Sequence, residues 1–169
     1  MSGDAVADEL APSLWGMLGT AFGPSAGTDP NQPEIPKPAF RFLILGKQRD
    51  VIGHLAAHER EVGIGGEASV IGMIGQVAIA NKHQRQGHCK RLVKLAHEYF
   101  QERSIFYSIL FACKPEVYHS SGYHLMENEI YFLDEDGVWK TFVFRGSMYC
   151  ELGDRPWPNQ KIDLRGPVV

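Results

Sequence analysis

The sequence predicts an α/β protein of the α+β type, with a mixed, mostly antiparallel sheet flanked by helices. Two observations predict this class. Strand-like apolar runs occur both before and after a central amphipathic helix, and another helical pattern precedes them all. Such an order is typical of helices packed on a mixed sheet. With 169 residues the chain is in the range of a single domain and can bury a full core.

The first 39 residues are predicted to be a helical segment followed by a loop, both part of the same domain. Apolar residues recur at helical spacing over residues 4–22, interrupted by Pro12, which predicts one short helix or two. The stretch GPSAGTDPNQPEIPKP that follows is too rich in Pro and Gly for regular structure. A loop of this length is commonly either mobile or functional. The core with its C-terminal tail is expected over residues 40–169.

The core is predicted to begin with a hairpin and to continue through the central helix. FRFLILG and VIGHLAAHEREV form the hairpin around the turn KQRD, and EASVIGMIGQVAIA supplies one or two more strands. The helix that follows carries an apolar stripe from Leu92 to Phe100. After it we expect a buried strand over SIFYSILFAC, a short helix over PEVYHSSG and two closing strands, EIYFLD and WKTFVFR.

The composition argues against several classes of protein. A net charge of −3 disfavours a general binder of nucleic acid or of anionic membranes. Three cysteines without C-x-x-C spacing indicate neither a disulfide framework nor a zinc site. The N-terminus lacks the basic head and apolar run of a signal peptide, and no apolar stretch approaches the roughly 20 residues of a membrane span. We therefore expect a cytoplasmic protein with no metal, no nucleic-acid partner and no membrane contact.

The stretch VAIANKHQRQGHCKRLVKLA concentrates positive charge where a strand becomes a helix. Its Lys and Arg side chains stand without any Asp or Glu: Lys82, Arg85, Lys90, Arg91 and Lys94. A helix that begins near Gly87 leaves its first N–H groups without intrahelical partners, and these groups bind anions. Glycine lets the chain approach a phosphate closely because it has no Cβ. The stretch therefore predicts a cradle for a phosphate or diphosphate. The alternative is an ordinary helix with a solvated basic face.

The segment QRQGHC at residues 84–89 resembles the Q/R-x-x-G-x-G/A motif of the GCN5-related N-acetyltransferase (GNAT) superfamily. A second segment, YHSSGY at residues 118–123, is similar to the Y-x-x-x-G-[FY/W] pattern of that superfamily, and the order of elements agrees over residues 40–145. The resemblance implies that the first motif binds the pyrophosphate of acetyl-CoA or of another acyl-CoA. It also implies that residues of the strand end and the loop contact the acyl-CoA: Val77, Ala78, Ile79, Gln84, Arg85, Gln86, Gly87, His88, Cys89 and Lys90. At its last position the motif has Gly or Ala, where this chain has Cys89.

The same resemblance implies a sheet that splays between the family's strands four and five, so that the pantetheine arm inserts like an extra strand. The family's first strand, which precedes its first helix, is not visible in this sequence. The stretch GHLAAHEREVGIGG and the tail around residues 155–158 of this chain are similar in arrangement to two branches of the superfamily. They are the rhizobial nodulation N-acyltransferases, which move a fatty acyl chain from a carrier protein, and the aminoglycoside 2′-N-acetyltransferases, which move acetyl from CoA.

Four residues are candidates for proton transfer. Tyr118 corresponds to the family residue that protonates the leaving thiolate, and a phenol is suited to that role. Relatives that modify aminoglycosides carry a carboxylate just before the V-A-[VI] strand, where this chain has Gly-Gln at residues 75–76. His54, His58 and Glu59 are the substitutes as base, with both histidines on one face of their strand and Glu59 on the other. Proton loss to ordered water is the alternative.

These residues favour an acyl-CoA-dependent N-acyltransferase that moves acetyl from acetyl-CoA to a primary amine of a small molecule by direct transfer. One alternative uses a longer acyl chain, carried by CoA or by an acyl carrier protein. Another is a CoA-binding regulatory module without turnover, which the missing carboxylate before Val77 favours. A monomer or a homodimer is expected.

Overall fold

The structure of the protein is a computed structural model that describes residues 6–23, 37–134, 136–143 and 145–168. The Pro- and Gly-rich loop predicted after the first helix therefore lies outside the described residues, except at its two ends. No strand precedes the first helix in the described part of the chain.

The N-terminal segment forms one helix, α1, over Ala11–Phe22. Pro12 lies in its first turn, where a missing N–H removes no intrahelical hydrogen bond, so the helix begins at the proline and is not divided by it. Two buried leucines, Leu14 and Leu18, attach α1 to the sheet through contacts with Val51 and Ala78. This helix therefore covers one face of the sheet.

The predicted hairpin is confirmed and extends into a third antiparallel strand. β1 (Phe40–Leu45) pairs with β2 (Val51–Ile64), and β2 pairs along almost its whole length with β3 (Glu67–Ile79). The turn between β2 and β3 uses Gly65 and Gly66 at φ 59° and 93°, a backbone region that glycine enters without strain. The stretch EASVIGMIGQVAIA is thus a single strand.

The central helix, α2, spans His88–Glu102 and crosses over the sheet to β4 (Tyr107–Phe111), which runs parallel to β3. Its apolar stripe is buried against the sheet, with Leu92, Val93, Ala96 and Phe100 fully buried. Alternation along β3 and β4 divides the core between the two faces, because Ile74 and Leu110 pack under α2 while Met73 and Ile109 pack on the other side.

The region after β4 differs from the prediction in two ways. The short helix expected over PEVYHSSG is instead a pair of 3₁₀ turns, Pro115–Val117 and His119–Ser121, which end at Gly122 with φ 88°. The strands EIYFLD and WKTFVFR exist as β6 (Ile130–Leu133) and β7 (Trp139–Phe142), but the prediction that they close the chain is wrong. A two-residue strand precedes them and two strands follow: β5 (His124–Leu125), β8 (Ser147–Glu151) and β9 (Ile162–Pro167).

The nine strands form one sheet in the order β5-β8-β4-β3-β2-β9-β6-β7, with β1 beside β2. Among the described strands, only β3 with β4 and β6 with β9 run parallel, which confirms the predicted mixed, mostly antiparallel sheet. The sequence did not indicate β5, β8 or β9, and β8 lies between β4 and β5. The parallel pair of β3 and β4 forms the centre of the sheet.

Candidate functional site

The sheet opens at its centre. β3 pairs with β4 from Gly72, opposite Ser108, to Ile74, opposite Leu110, and in the described strands this pairing goes no further. Beyond this point Gly75, Ala78 and Ile79 are paired with β2 alone. The splay that the resemblance implied is therefore present between β3 and β4. One edge of the last five residues of β3 faces the opening.

A β-bulge lies where the splay begins. His54 is opposite Ala78 and Ala56 is opposite Gly75, so two residues of β3 face the single residue Leu55 of β2. The first of the two, Gln76, has φ 49°, in the left-handed region that side chains with a Cβ rarely adopt. Bulges are enriched beside active sites, where they redirect the chain. Here the bulge marks the point at which β3 leaves β4.

A groove of about 600 Å³ follows the open edge of β3. One wall is the side of α1 that carries Gly16, Met17 and Thr20, and the floor is the end of β3 with the loop beyond it. Four residues that the resemblance assigned to the acyl donor line this groove: Val77, Ala78, Ile79 and Gln84. Lys114, three residues beyond the end of β4, also lines the groove.

The loop between β3 and α2 ends in an uncapped helix terminus. Gly87 precedes α2 with φ 79° and provides no side-chain cap for the first amides of the helix. Arg85 is also left-handed, with φ 60°, and such turns bring successive N–H groups to one side of the chain. A Cβ built on Gly87 would meet nothing within 4 Å, so the space in front of these amides is open. The geometry fits a diphosphate.

Two glutamines of the loop form side-chain hydrogen bonds with nearby residues of the loop and the end of β3. The side-chain amide of Gln84 donates to the carbonyl oxygen of Ile79 and to the Oδ1 of Asn81, both at 3.1 Å. The amide of Gln86 donates to the carbonyl oxygen of Lys82 at 3.4 Å. These contacts stabilise the conformation of the loop.

The charge of the loop is not neutralised by neighbouring carboxylates. Within the described residues, Lys82, Arg85 and Lys90 form no ion pair, and all three side chains are exposed. The first turn of α2 contains no acidic residue. Cations and helix dipole therefore act in the same direction, and both stabilise negative charge at this position.

Tyr118 lies at the joint between the two 3₁₀ turns and packs against the core under α2. Burial raises the pKa of its phenol above the ordinary value of 10, and the neighbouring thiols of Cys89 and Cys113 raise it further. Burial also raises the pKa of the Cys89 thiol. The Tyr118 phenol therefore stays protonated at neutral pH, close to Cys89 at the start of α2.

His54 is fully buried, and both of its ring nitrogens have partners. Nδ1 lies 2.8 Å from the carbonyl oxygen of Gln76, and Nε2 lies 2.9 Å from Nη1 of Arg41. Because a guanidinium only donates, Nε2 accepts and the proton resides on Nδ1. Burial, which outweighs the bond to the Gln76 carbonyl, lowers the pKa of His54 to about 4. The ring is neutral at physiological pH.

The other two predicted bases lie on opposite faces of β2, as the strand period requires. His58 is buried on the same face as His54, opposite Met73. Glu59 faces α2, where its Oε1 accepts from the Tyr99 hydroxyl at 2.7 Å and lies 2.9 Å from the Nε of Arg103. None of the three candidates is part of the described lining of the groove.

Sequence reasoning missed three features of the site. The wall formed by α1 had no local signal, since the helix showed only a general apolar pattern. Lys114 reaches the groove only because the sheet opens beside it. Arg41 and Gln76 meet His54 through pairing between β1, β2 and β3, which no short motif encodes.

Among the described residues, no group of three or more His, Cys, Asp or Glu side chains could hold a metal ion. No helix in the same part of the chain is both long and apolar enough to cross a membrane.

A family model described as the acetyltransferase (GNAT) domain matches residues 11–126, which is more than half of the chain. The match includes α1, the splayed strands, the loop and the Tyr118 segment. Comparison with curated protein sequences gives no significant match.

Several solved structures are similar in fold. The GNAT family N-acetyltransferase YhbS from Escherichia coli, solved in complex with CoA, is 14% identical with a TM-score of 0.66, over 94% of this chain and 86% of that one. A GCN5-related N-acetyltransferase from Anabaena variabilis is 20% identical with a TM-score of 0.60, over 73% of this chain. This chain spans about a third (32%) of the length of the Anabaena protein.

Proposed function

The chain belongs to the GNAT acetyltransferase family, and on this premise we propose that it is an acyl-CoA-dependent N-acyltransferase that transfers acetyl to a primary amine of a small molecule. One observation carries the proposal. The open edge of β3 is joined by the short loop of residues 80–87 to the uncapped terminus of α2, so one continuous segment offers backbone groups to an extended arm and then to a diphosphate.

In this proposal acetyl-CoA binds along that run. The first amides of α2 and the side chains of Arg85 and Lys90 contact the diphosphate, while Val77, Ala78 and Ile79 contact the pantetheine arm in the groove. The fold shared with YhbS, whose structure contains CoA, supports this arrangement. The groove lining, which joins the strand end to Gln84 and Lys114, supports it independently.

The proposed reaction is a direct transfer. The amine nitrogen attacks the thioester carbon, and a backbone N–H of β3 stabilises the oxyanion, an effect worth about 3 kcal/mol in measured systems. The C–S bond then breaks, and the thiolate takes the phenolic proton of Tyr118. A thiolate formed in the same water-poor place is itself more basic, as burial makes the thiol of Cys89. The raised pKa of Tyr118 is therefore compatible with its role as acid.

The proton of the amine leaves to His58 or to ordered water. His54 does not enter the proposal as a base, because both its nitrogens are engaged and its pKa is about 4. Glu59 does not enter it either, because its carboxylate contacts Tyr99 and Arg103 on the face away from α1. The proton released from the amine returns through solvent to the Tyr118 phenolate, so that the reaction has no net gain or loss of protons on the protein.

A second candidate function has a specific observation in its favour. The α1 wall of the groove carries apolar side chains, Met17 and Phe22 among them. These side chains would contact an acyl chain longer than acetyl, delivered by CoA or by an acyl carrier protein. Thermal-shift titrations with free CoA, acetyl-CoA and longer acyl-CoAs rank these donors, because stabilisation grows with ligand concentration over Kd.

Substitution of Tyr118 tests the enzymatic proposal. In Tyr118→Phe we expect acetyl-CoA to bind as in the wild type while kcat for a primary amine falls by roughly a hundredfold, the usual contribution of an acid. Tyr131→Phe is the matched control, since Tyr131 lies on β6 and its ring stacks on Trp139, away from the groove. Unchanged turnover in Tyr118→Phe would refute the acid role. If calorimetry detects no binding of any CoA derivative, the whole proposal fails.

A further inference from the structure

The backbone at Gln76 is held in an unfavourable conformation by contacts from two other strands. A residue with a Cβ at φ 49° costs about 1–2 kcal/mol relative to ordinary backbone, so it persists only where its surroundings enforce it. Such enforcement is visible. The ring of His54 donates a hydrogen bond to the backbone carbonyl of Gln76, and Arg41 donates one to the Gln76 side chain.

The three residues form a closed set of hydrogen bonds. Nδ1–H of His54 donates to the backbone oxygen of Gln76 at 2.8 Å, and Nη1 of Arg41 donates to the Oε1 of Gln76 at 3.2 Å. The same Nη1 lies 2.9 Å from Nε2 of His54. The guanidinium in turn lies 5.5 Å from the ring centre of Trp15 on α1, so the helix covers the set from outside.

The contact with the Gln76 oxygen determines the direction of a neighbouring N–H group. The carbonyl of Gln76 and the amide of Val77 belong to one peptide plane, and among the described residues no peptide bond is cis. In a trans peptide the N–H points opposite to the C=O. Since the carbonyl points to His54, the N–H of Val77 points away from it. Val77 lines the groove.

We propose that His54 is a positioning residue, which together with Arg41 fixes the peptide between Gln76 and Val77 so that the Val77 N–H donates to the thioester carbonyl oxygen as its charge develops. The inference rests on the proposed function, in which a backbone N–H of β3 is the oxyanion donor, and assigns the residues that position that donor. Hydrogen bonds weaken steeply as their angle departs from linear, so rotation of this peptide would remove the donor. His54 never takes the proton of the amine.

Two substitutions of His54 separate this role from that of a base. The amide nitrogen of Asn is as many bonds from the backbone as Nδ1, so His54→Asn keeps a donor for the Gln76 carbonyl. The terminal amide of Gln corresponds to Nε2, so His54→Gln keeps a partner for Arg41 and leaves the carbonyl without its donor. We expect kcat within about tenfold of wild type for Asn and roughly a hundredfold lower for Gln, the cost of one oxyanion donor, with the Kd for CoA within about threefold in both.

The pH profile of kcat provides the second readout. His54→Asn should keep the acid limb of the wild-type profile, because a positioning residue with a fixed neutral ring contributes no titration there. Equal loss of kcat in both variants, together with loss of the acid limb in His54→Asn, would identify His54 as a base and overturn the proposal. Wild-type kcat in a folded His54→Gln would show that the histidine only supports the fold, and would overturn it as well.

A third variant tests the bulge itself. Glycine adopts positive φ without strain, so Gln76→Gly added to His54→Gln should recover part of the lost kcat. The control is Ser104→Gly, because Ser104 is also left-handed, with φ 58°, and lies exposed beyond the end of α2. This control is expected to leave kcat unchanged. Absence of any recovery in a folded double variant would contradict the idea that the backbone at Gln76 is what His54 controls.

A measurement without turnover separates failure of this inference from failure of the proposed function. In the wild type, the amide resonance of Val77 should shift on addition of acetyl-CoA beyond its shift with free CoA, which has no thioester carbonyl. In His54→Gln this difference should vanish, while the resonances of the α2 terminus still respond to both. If Val77 responds equally to CoA and acetyl-CoA in the wild type, the positioning proposal is refuted, whether or not an amine acceptor is found. If the α2 terminus responds to neither, the proposed function is what fails.

Discussion

The buried His54 should make the protein sensitive to mild acid. Its pKa is lowered from 6.5 to about 4, mainly by burial, so between these values the unfolded chain binds the proton and the folded chain does not. The contribution of the neutral His54 ring to the free energy of unfolding is therefore complete above pH 6.5. It decreases as the pH falls and is lost by about pH 4. The difference of roughly 2.5 pH units corresponds to about 3 kcal/mol. A single domain has only about 5–15 kcal/mol in total, so the loss is large.

The assay is urea denaturation at pH 7, 6, 5 and 4 of the wild type and of His54→Asn, which has no titrating group at this position. The wild type should lose about 3 kcal/mol more than the variant between pH 7 and pH 4. His97, whose pKa burial also lowers to about 4, titrates in both proteins and cancels in the difference. A difference between the two proteins that stays constant across the series would refute the reasoning, since it would mean that His54 accepts its proton equally well in the folded state.

Two further predictions concern glycines. Gly16→Leu should weaken acetyl-CoA binding by roughly tenfold in calorimetry, because Gly16 lines the groove and the leucine side chain would enter its open space. The control Gly16→Ala should leave binding intact and stabilise the helix by about 1 kcal/mol. Gly72→Ala should lower the free energy of unfolding by at least about 1–3 kcal/mol in urea denaturation, because its Cβ would lie 2.5 Å from the buried ring of Phe100. Tight binding by Gly16→Leu, or an unchanged urea midpoint in Gly72→Ala, would contradict the respective packing argument.

Local patterns were sufficient for the part of the fold that lies along one stretch of chain. Alternation and turn residues identified β1, β2 and β3, and the apolar stripe identified α2 with its start at Gly87. These elements depend on neighbours within a few residues, so the sequence displays them directly. The opening of the sheet was implied by the resemblance of the loop to a known motif, and the pairing of β3 with β4 confirms it.

Features that depend on distant pairing were not visible in the sequence. β8 is a five-residue strand whose place between β4 and β5 depends on partners more than twenty residues away, and its short apolar run predicts nothing specific. The surroundings of His54 are a similar case. The prediction that His54 lies on β2 was correct. The face of the sheet that it occupies is covered by α1 through Leu14 and Leu18, and periodicity cannot show which element covers a face.

The proposed contacts with the acyl donor come from one short run, from the bulge of β3 to the first turn of α2, whereas the rest of the groove lining includes α1 and Lys114. These two parts of the proposed site are encoded far apart in the sequence. If the proposed binding mode holds, substitutions that reshape α1 would change the acyl group or amine accommodated and leave the proposed diphosphate contacts intact. The substrate range of such a protein could then diverge while its acyl donor stays the same.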